Sequence, residues 1–424
     1  MNLLIITNNF PPCNVSASIR SLNYANYLAK HGHHVTVIAA DYPKDFINYD
    51  ESLQERISEE VSLIYADMGM FYKKFYTKKI NLVNESIDQS GQAKVSCITN
   101  FLKKYLKDYI VIPDSYVFWK WNATKKAIEI MKNNKIDIVL SMHESPSAHL
   151  VGYRLKKMFP NVKWVTYWSD PWTIDPLRKG QPLIRRKIEE YLEKKVVEKA
   201  DKFLFTSRAT EKLYIKKYGI SENKTAIVYR GYDYVEKLGD IPEGIDLKKL
   251  NIVYTGEIFS KLRDLYPICS ALDYLELKEK ELYSSINFVF LGNIDSNSIK
   301  ERLSKHKNVK LLPRVSFDRA QQYCAYADVL LLIGNKNSDQ IPGKAYDYFG
   351  FNAPILTIYS SDDDPMVNLM KEVNKGPIIK NDSKYIVEIL KRLAKRNYDK
   401  SWTKIVEKYS WELVVQDLSE KIKD

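Results

Sequence analysis

The chain has 424 residues, a formal net charge of +12, 45% hydrophobic residues and 28% charged residues. This length exceeds one ordinary hydrophobic core, so we predict two domains of roughly 200 residues each. No apolar run approaches the ~18–20 residues of a transmembrane helix. The surplus of lysine and arginine favours anionic partners, whether polyanions, anionic membranes or phosphorylated substrates.

The cysteines and the first residues of the chain indicate its cellular compartment. Cys13, Cys97, Cys269 and Cys324 lie far apart and form no C-x-x-C pair. This spacing predicts neither a disulfide framework nor a zinc knuckle. The first residues lack the basic region and the long apolar run of a signal peptide. We therefore expect a cytoplasmic protein, soluble or peripheral on the inner face of the membrane.

Short apolar strands alternate with helices in the first half of the chain. We predict strands at residues 3–7, 35–39, 136–141, 164–167, 202–206 and 225–229, and helices at residues 19–31, 146–158 and 183–199. Strands separated by crossover helices imply a parallel, doubly wound sheet.

The alternation then starts again. We predict strands at residues 252–255, 287–291, 309–312, 329–333 and 355–358, with a helix after the first of them. The expected fold is α/β, with two Rossmann-like domains facing each other across a cleft. We predict domains at residues 1–235 and 236–404, with a helix at 405–424 packing back on the first domain. Ligands of such sheets bind beyond the carboxyl ends of the strands.

A tight turn after the strand at residues 329–333 leads into a short helix opened by Pro342 and Gly343. The first N–H groups of a helix are unpaired and carry partial positive charge, so an anionic diphosphate fits there. Asp339 and Asp347 flank the turn, with Lys344 between them. Carboxylates accept hydrogen bonds from sugar hydroxyls, so the turn suits a sugar nucleotide. The alternative is a solvated helix start.

Two segments interleave aromatic residues with lysines, at residues 71–79 and 101–107. Such a pattern resembles an interfacial amphipathic element and predicts contact with an anionic membrane. The alternative is an ordinary basic helix that covers the sheet.

Several short segments along nearly the whole chain form a combined pattern. They are residues 7–12 with Arg20 and residues 28–37, residues 141–152, residues 168–172, residues 254–257 with Arg263 and Asp264, and residues 339–347. This combination resembles a family-4 retaining glycosyltransferase of the GT-B fold. The Asp170-Pro171-Trp172 element resembles that of a subgroup that builds cell-surface polysaccharides such as O-antigen or capsule.

The chain departs from the resembled family in two places. The E-x7-E element of the family is present with aspartates, Asp339 and Asp347, each shorter by one methylene than a glutamate. The glycine-rich stretch that follows F-P-P in the family is replaced by residues 13–18, whose small side chains still permit an approach to phosphate.

The resemblance implies a donor site. Asp347 is assigned to the ribose or phosphates, Asp339 to the donor-sugar hydroxyls, and His143 to the orientation of that sugar. The other donor-binding candidates are Arg263, Lys261, Gly256, Glu257, Gly343, Lys344, Asn14 and Ser16. The cations among them would neutralise the departing diphosphate, whose negative charge grows as the glycosidic bond breaks.

The acceptor-binding candidates are Arg20, His149, Asp170 and Trp172. The aromatic face of Trp172 can stack on a sugar ring. The alternative is that Trp172 belongs to the core and that Asp170 caps a helix.

We expect a retaining transfer of a sugar from a nucleotide-diphosphate donor to a glycan or polyprenyl-linked glycan. The leaving phosphate can accept the acceptor's proton, so the mechanism requires no protein nucleophile. No DXD-type element stands out in the sequence, so we expect neither a metal nor a cofactor. The alternatives are a catalytically silent relative that binds sugar nucleotides and a sugar-nucleotide 2-epimerase. Nucleic-acid binding is the weakest alternative, because the basic residues are not gathered on one motif.

Overall fold

A computed structural model describes residues 1–46, 48–69, 72, 109–175, 180–234, 237, 239–336, 341–396 and 398–424. The chain divides into two compact units, Met1–Tyr229 with Val414–Asp424, and Arg230–Leu413. Asp339 lies outside the described residues. So do the two predicted membrane segments, at residues 71–79 and 101–107, apart from Tyr72.

The first unit is built on a seven-stranded sheet of order β3-β2-β1-β4-β5-β6-β7. Its strands are β1 (Asn2–Ile6), β2 (His34–Asp41), β3 (Val61–Asp67), β4 (Ile138–His143), β5 (Lys163–Trp168), β6 (Lys202–Phe205) and β7 (Thr225–Ile227). Its helices are α1 (Ser16–Lys30), α2 (Val117–Asn133), α3 (Pro146–Met158), α4 (Leu183–Lys199) and α5 (Arg208–Tyr218), with short 3₁₀ turns at Glu51–Arg56 and Glu222–Lys224. The strand order reverses between β1 and β4, which is where such sheets bind ligands.

The second unit is built on a six-stranded sheet of order β10-β9-β8-β11-β12-β13. Its strands are β8 (Leu250–Thr255), β9 (Ile286–Leu291), β10 (Val309–Leu312), β11 (Val329–Ile333), β12 (Ile355–Tyr359) and β13 (Ile378–Lys380). Its helices are α6 (Tyr266–Lys278), α7 (Lys280–Ser285), α8 (Asn297–Ser304), α9 (Phe317–Ala325), α10 (Gly343–Tyr348), α11 (Pro365–Val373) and α12 (Ser383–Ala394). The last helix, α13 (Trp411–Lys423), begins in this unit and belongs to the first unit from Val414 onward. The reversal of strand order here lies between β8 and β11.

The apolar runs of the sequence become the central strands. Every residue of β4, β9 and β11 is buried, as expected of parallel strands that helices cover on both faces. Neighbouring strands of the ladders pair in parallel, for example β1 with β4 and β8 with β9. The predicted doubly wound α/β sheets are confirmed.

The helix predicted at residues 405–424 begins later than expected. Two 3₁₀ turns, Lys400–Thr403 and Glu407–Tyr409, precede α13, and the backbone is extended at Ser410. The hydroxyl of Ser410 accepts a hydrogen bond from the backbone N–H of Leu413 at 3.4 Å. A serine that bonds the first free N–H groups marks a helix start, so α13 begins at Trp411.

Gly152 in α3 offers a test of the packing. Alanine in a helix interior is normally better than glycine by ~1 kcal/mol, but a Cβ here would lie 2.3 Å from Nε1 of the buried Trp164. We expect Gly152→Ala to lower the free energy of unfolding by about 1–3 kcal/mol in urea denaturation. Trp164→Phe removes the contacted atoms, so Gly152→Ala should cost less in that background. The same cost in both backgrounds would contradict the packing described.

Candidate active site

Two glycine turns meet at the carboxyl edge of the second sheet. Gly256 follows β8 with φ +104, and Gly292 follows β9 with φ +112. A Cβ on Gly292 would lie 2.8 Å from the carbonyl carbon and oxygen of Gly256. The backbone N–H of Gly256 donates to the carbonyl of Leu291 at 2.8 Å. Only glycine allows this close approach of the two turns, and Gly256 remains exposed at the edge.

Lys344 of α10 brings its amine to the turn at Gly256. Its Nζ donates to the carbonyl of Thr255 at 2.6 Å and lies 3.6 Å from the centroid of the Tyr254 ring. Burial lowers the pKa of Lys344 well below its usual range, and the positive charge of Arg263 lowers this pKa further, whereas Asp347 and Glu257 oppose the shift. An anion bound beside the amine would favour its charged form and raise the pKa again.

Arg263 joins the loops that follow two adjacent strands. Its Nε donates to the carbonyl of Ile333, the last residue of β11, at 3.2 Å. Its Nη1 donates to the carbonyl of Glu257, just after β8, also at 3.2 Å. The guanidinium therefore lies at the reversal of strand order. We call Gly256, Arg263 and Lys344 the basic cluster.

Asp347 pairs with an arginine of its own unit. Nε and Nη2 of Arg230 donate to Oδ1 of Asp347 at 3.1 and 2.9 Å. The side chain of Arg230 is 5% exposed and that of Asp347 is 23% exposed. Arg230 also lies over the ring of Trp411, 5.8 Å from its centroid. Asp347 thus neutralises a buried arginine, and its predicted contact with the donor stays a prediction.

The other donor-side candidates lie near the basic cluster in the chain. Lys261 is exposed, and Oε2 of Glu257 accepts a hydrogen bond from the N–H of Asn293 at 3.2 Å. Gly343 is the first residue of α10, which has only 6 residues. So short a helix has a weak dipole, so the positive charge here comes mainly from Lys344 and Arg263.

His143 and His149 lie together at the end of β4 in the first unit. His143 is 4% exposed, and its ring stacks on Trp168 with centroids 4.9 Å apart. His149 is fully buried, and its Nδ1 lies 2.8 Å from Oγ of Ser141. Burial lowers the pKa of His149 well below its usual range, with the neighbouring His143 as a second cause. The ring of His149 is thus part of the core of the first unit, and its predicted contact with the acceptor stays a prediction.

Trp172 is also a core residue. It is fully buried, and its Nε1 donates to Oε2 of the buried Glu189 at 3.0 Å. This burial favours the alternative of a core tryptophan, and the predicted stacking on an acceptor sugar stays a prediction. Asp170 is half-buried and accepts a hydrogen bond from Oγ of Ser169 at 3.1 Å.

Arg20 and Glu144 form a buried ion pair that the sequence analysis did not assign. Arg20 lies over the ring of Tyr167, 5.0 Å from its centroid. Burial raises the pKa of Glu144, Arg20 opposes this shift, and Asp170 adds to it. A carboxyl of this kind at the end of a central strand can bond a hydroxyl or hold a proton. The sequence contained one signal for Glu144 as a site residue, namely its position directly after His143 at the end of a strand.

Asn14 and Ser16 precede and begin α1. The Nδ2 of Asn14 donates to Oδ2 of Asp50 at 2.8 Å, whereas Ser16 is exposed as the first residue of the helix. Their predicted contacts with phosphate stay predictions.

The described ranges of the chain bear on metal binding and on membrane insertion. Within these ranges, no group of three or more His, Cys, Asp or Glu residues could hold a metal ion. In the same ranges, no helix has both the length and the apolar character needed to cross a membrane. The expectation of a reaction without metal or cofactor stays a prediction.

Residues 105–235 match the family model described as Glycosyltransferase Family 4. Over this segment the chain is similar to family-4 glycosyltransferases, as the sequence analysis predicted. The matched segment contains His143, Glu144 and Asp170, but not the basic cluster. A search of curated protein sequences finds no match to the chain.

Solved structures share the fold over the whole chain. A glycosyltransferase from Rickettsia africae ESF-5 has a TM-score of 0.62 at 13% identity, over 100% of this chain and 97% of that one. Anabaena HepE in complex with UDP-glucose has a TM-score of 0.61 at 10% identity, over 100% of this chain and 99% of that one. A putative UDP-N-acetylglucosamine 2-epimerase from Listeria monocytogenes has a TM-score of 0.57 at 12% identity, over 100% of this chain and 95% of that one. These likenesses confirm the predicted GT-B fold.

The pair of Arg230 and Asp347 predicts a large effect on stability. Asp347→Ala removes the carboxylate that accepts two hydrogen bonds from the buried guanidinium of Arg230, and it should lower the free energy of unfolding by about 2–4 kcal/mol. Arg230→Met in the Asp347→Ala background removes that charge and should restore much of the loss. Urea denaturation of the four proteins measures both effects. Wild-type stability of Asp347→Ala, or a double variant no better than the single one, would contradict the structural role.

Proposed function

We propose that this glycosyltransferase is a retaining enzyme that takes its sugar from a nucleotide-diphosphate donor. Its acceptor is a glycan or polyprenyl-linked glycan of cell-surface polysaccharide biosynthesis. The observation that carries the proposal is the basic cluster, in which Arg263 lies close enough to Lys344 for its charge to lower the pKa of the lysine. The UDP-glucose in the structure of HepE supports the choice of donor class.

In this proposal the donor diphosphate binds at the exposed turn of Gly256. Its oxygens accept hydrogen bonds from Lys344 and Arg263, which are already held in place by the carbonyls of Thr255 and Ile333. Negative charge grows on the diphosphate as the glycosidic bond breaks, so preorganised cations stabilise the transition state more than the ground state. The diphosphate also removes the repulsion between the two cations.

Retention follows if the acceptor hydroxyl attacks the face that the diphosphate leaves. The departing phosphate then takes the hydroxyl's proton, and the protein needs no nucleophile and no metal. We assign donor binding to the second unit. In the first unit, Glu144 and Asp170 are the acceptor-side candidates, because they interact electrostatically and lie just after β4 and β5. The role of His143 in orienting the donor sugar stays as the sequence analysis predicts it.

A catalytically silent protein that binds sugar nucleotides is the second candidate. The engagement of Asp347 by Arg230 favours it, since this carboxylate would be the ribose or phosphate contact. Calorimetry would then detect donor binding without turnover over a broad panel of acceptors. A 2-epimerase would instead convert the donor incubated alone, which NMR detects.

Substitution in the basic cluster tests the proposal through turnover. Arg263→Ala and Lys344→Ala should each lower kcat/KM for the donor about a hundredfold, because each removes a charge-stabilising donor. Arg302→Ala is the matched control, a half-buried arginine of the same unit that pairs with Asp273. NMR of the product should show the anomeric configuration of the donor. Wild-type rates in both cluster variants, or inversion, would refute the proposal.

Proton uptake tests the electrostatic role of Lys344. Its pKa is depressed in the free protein, and a diphosphate should raise it, so donor binding takes up a proton at pH values between the two pKa values. Donor affinity should therefore fall as pH rises through this window. A thermal-shift screen of a panel of nucleotide sugars first selects the ligand that stabilises the protein most. Calorimetric titration with this ligand, in buffers of different ionisation enthalpy, then measures the proton uptake.

Lys344→Met removes the titrating amine and is the control for this measurement. The proton uptake should disappear in this variant. A wild-type protein whose binding enthalpy is independent of the buffer would contradict the assignment of Lys344 to the diphosphate.

A further inference from the structure

The outward side of α4 is apolar, which is unusual for a surface helix. Leu183 is 71% exposed, Ile184 63%, Ile188 39% and Tyr191 61%. Ile184, Ile188 and Tyr191 follow one another at spacings of four and three residues, so they lie on one side of the helix. The buried side of α4 contains charged residues instead, among them Arg185 and Glu189.

Buried polar contacts hold the first half of α4 in this orientation. Nε of Arg185 donates to Oε1 of Glu189 at 2.7 Å, and its Nη2 donates to the carbonyl of Pro113 at 2.6 Å. The other oxygen of Glu189 accepts the hydrogen bond from Trp172. A rotation of the helix that covered Ile184 would break these contacts.

A second buried carboxylate holds the middle of the helix. Glu193 accepts hydrogen bonds from the hydroxyls of Tyr214 and Tyr218, each at 2.5 Å, and from Nζ of Lys217 at 3.1 Å. Glu193 is fully buried, and a buried carboxylate without partners is strongly unfavourable. The exposure of the apolar side is therefore a fixed property of the unit.

Cations accompany the exposed apolar residues. The exposed or half-buried charged residues of α4 are Arg186, Lys187, Lys194, Lys195 and Lys199 against Glu190 and Glu198. Nζ of Lys195 lies 5.4 Å from the centroid of the Tyr191 ring. Apolar and aromatic side chains interleaved with cations are the composition of helices that lie in a membrane interface.

We propose that Leu183, Ile184, Ile188 and Tyr191, with the cations beside them, dock the protein on an anionic lipid membrane. We call these residues the α4 surface. Charge complementarity selects this partner, because anionic headgroups attract the cations. A two-fold contact with a second copy would bring two positive surfaces together. The α4 surface is separate from the segments at residues 71–79 and 101–107, and it does not depend on the proposed reaction.

Vesicle co-sedimentation of the full chain tests the apolar part of the α4 surface. The vesicles are phosphatidylcholine alone or an equal mixture of phosphatidylcholine and phosphatidylglycerol. Leu183→Ser/Ile184→Ser should bind the anionic vesicles at least about tenfold more weakly than wild type. Leu277→Ser is the matched control, since Leu277 is 72% exposed in the other unit. It should bind as wild type does.

The charge of the surface is tested in the same assay. Lys187→Glu/Lys194→Glu should remove the preference for anionic over neutral vesicles, and added salt should weaken wild-type binding. Lys278→Glu, next to the control leucine, should leave the preference unchanged.

Three outcomes would overturn the proposal. The first is a wild-type protein that does not bind the anionic vesicles, or binds neutral ones equally well. The second is equal binding by wild type and Leu183→Ser/Ile184→Ser. The third is self-association in analytical ultracentrifugation that this double variant abolishes while vesicles are ignored, which assigns the surface to a second copy.

Discussion

The repulsion between Lys344 and Arg263 is the interaction on which the functional account depends. Each cation is held by backbone carbonyls, so neither can move away from the other without loss of a hydrogen bond. The carboxylates of Asp347 and Glu257 oppose the effect of Arg263 on the pKa of Lys344, and an anion bound beside the amine would oppose it further. The glycine turns at Gly256 and Gly292 leave the backbone open beside them, which gives that anion a place to bind.

Burial of charge recurs elsewhere in the molecule with a different result. Three other arginines are almost fully buried, and each forms an ion pair with a carboxylate. The pairs are Arg230 with Asp347, Arg20 with Glu144, and Arg185 with Glu189. Such pairs fix the orientation of the elements that carry them, because breaking one removes the opposite charge from a buried ion. The basic cluster differs from these pairs in having two cations together.

The sequence predicts the fold well where burial is continuous. The bounds predicted for α3, α4, β10 and β11 agree with the structure, because apolar runs and flanking turn residues define them. The edge strands β3 and β13 were not predicted, since both are partly exposed and lack a continuous apolar run. The spacing of the apolar residues in α4 predicts a helix, but it does not predict which side of the helix is buried.

The sequence predicts the candidate site only in part. Arg263 and Lys344 were expected near phosphate, but their shared position at the end of β8 depends on the packing of distant segments. The contact of Arg230 with Asp347 joins residues 117 positions apart, which no local pattern reveals. His149 and Trp172 occur in motifs that follow strand ends, and only the tertiary structure shows that both are core residues.

A crystal structure of the full chain soaked with the nucleoside diphosphate of its donor tests the central claim most directly. The account predicts that diphosphate oxygens lie within hydrogen-bond distance of Nζ of Lys344 and of the guanidinium of Arg263, beside Gly256. A diphosphate bound elsewhere, with Lys344 still bonded to Thr255 and no anion at the basic cluster, would contradict it.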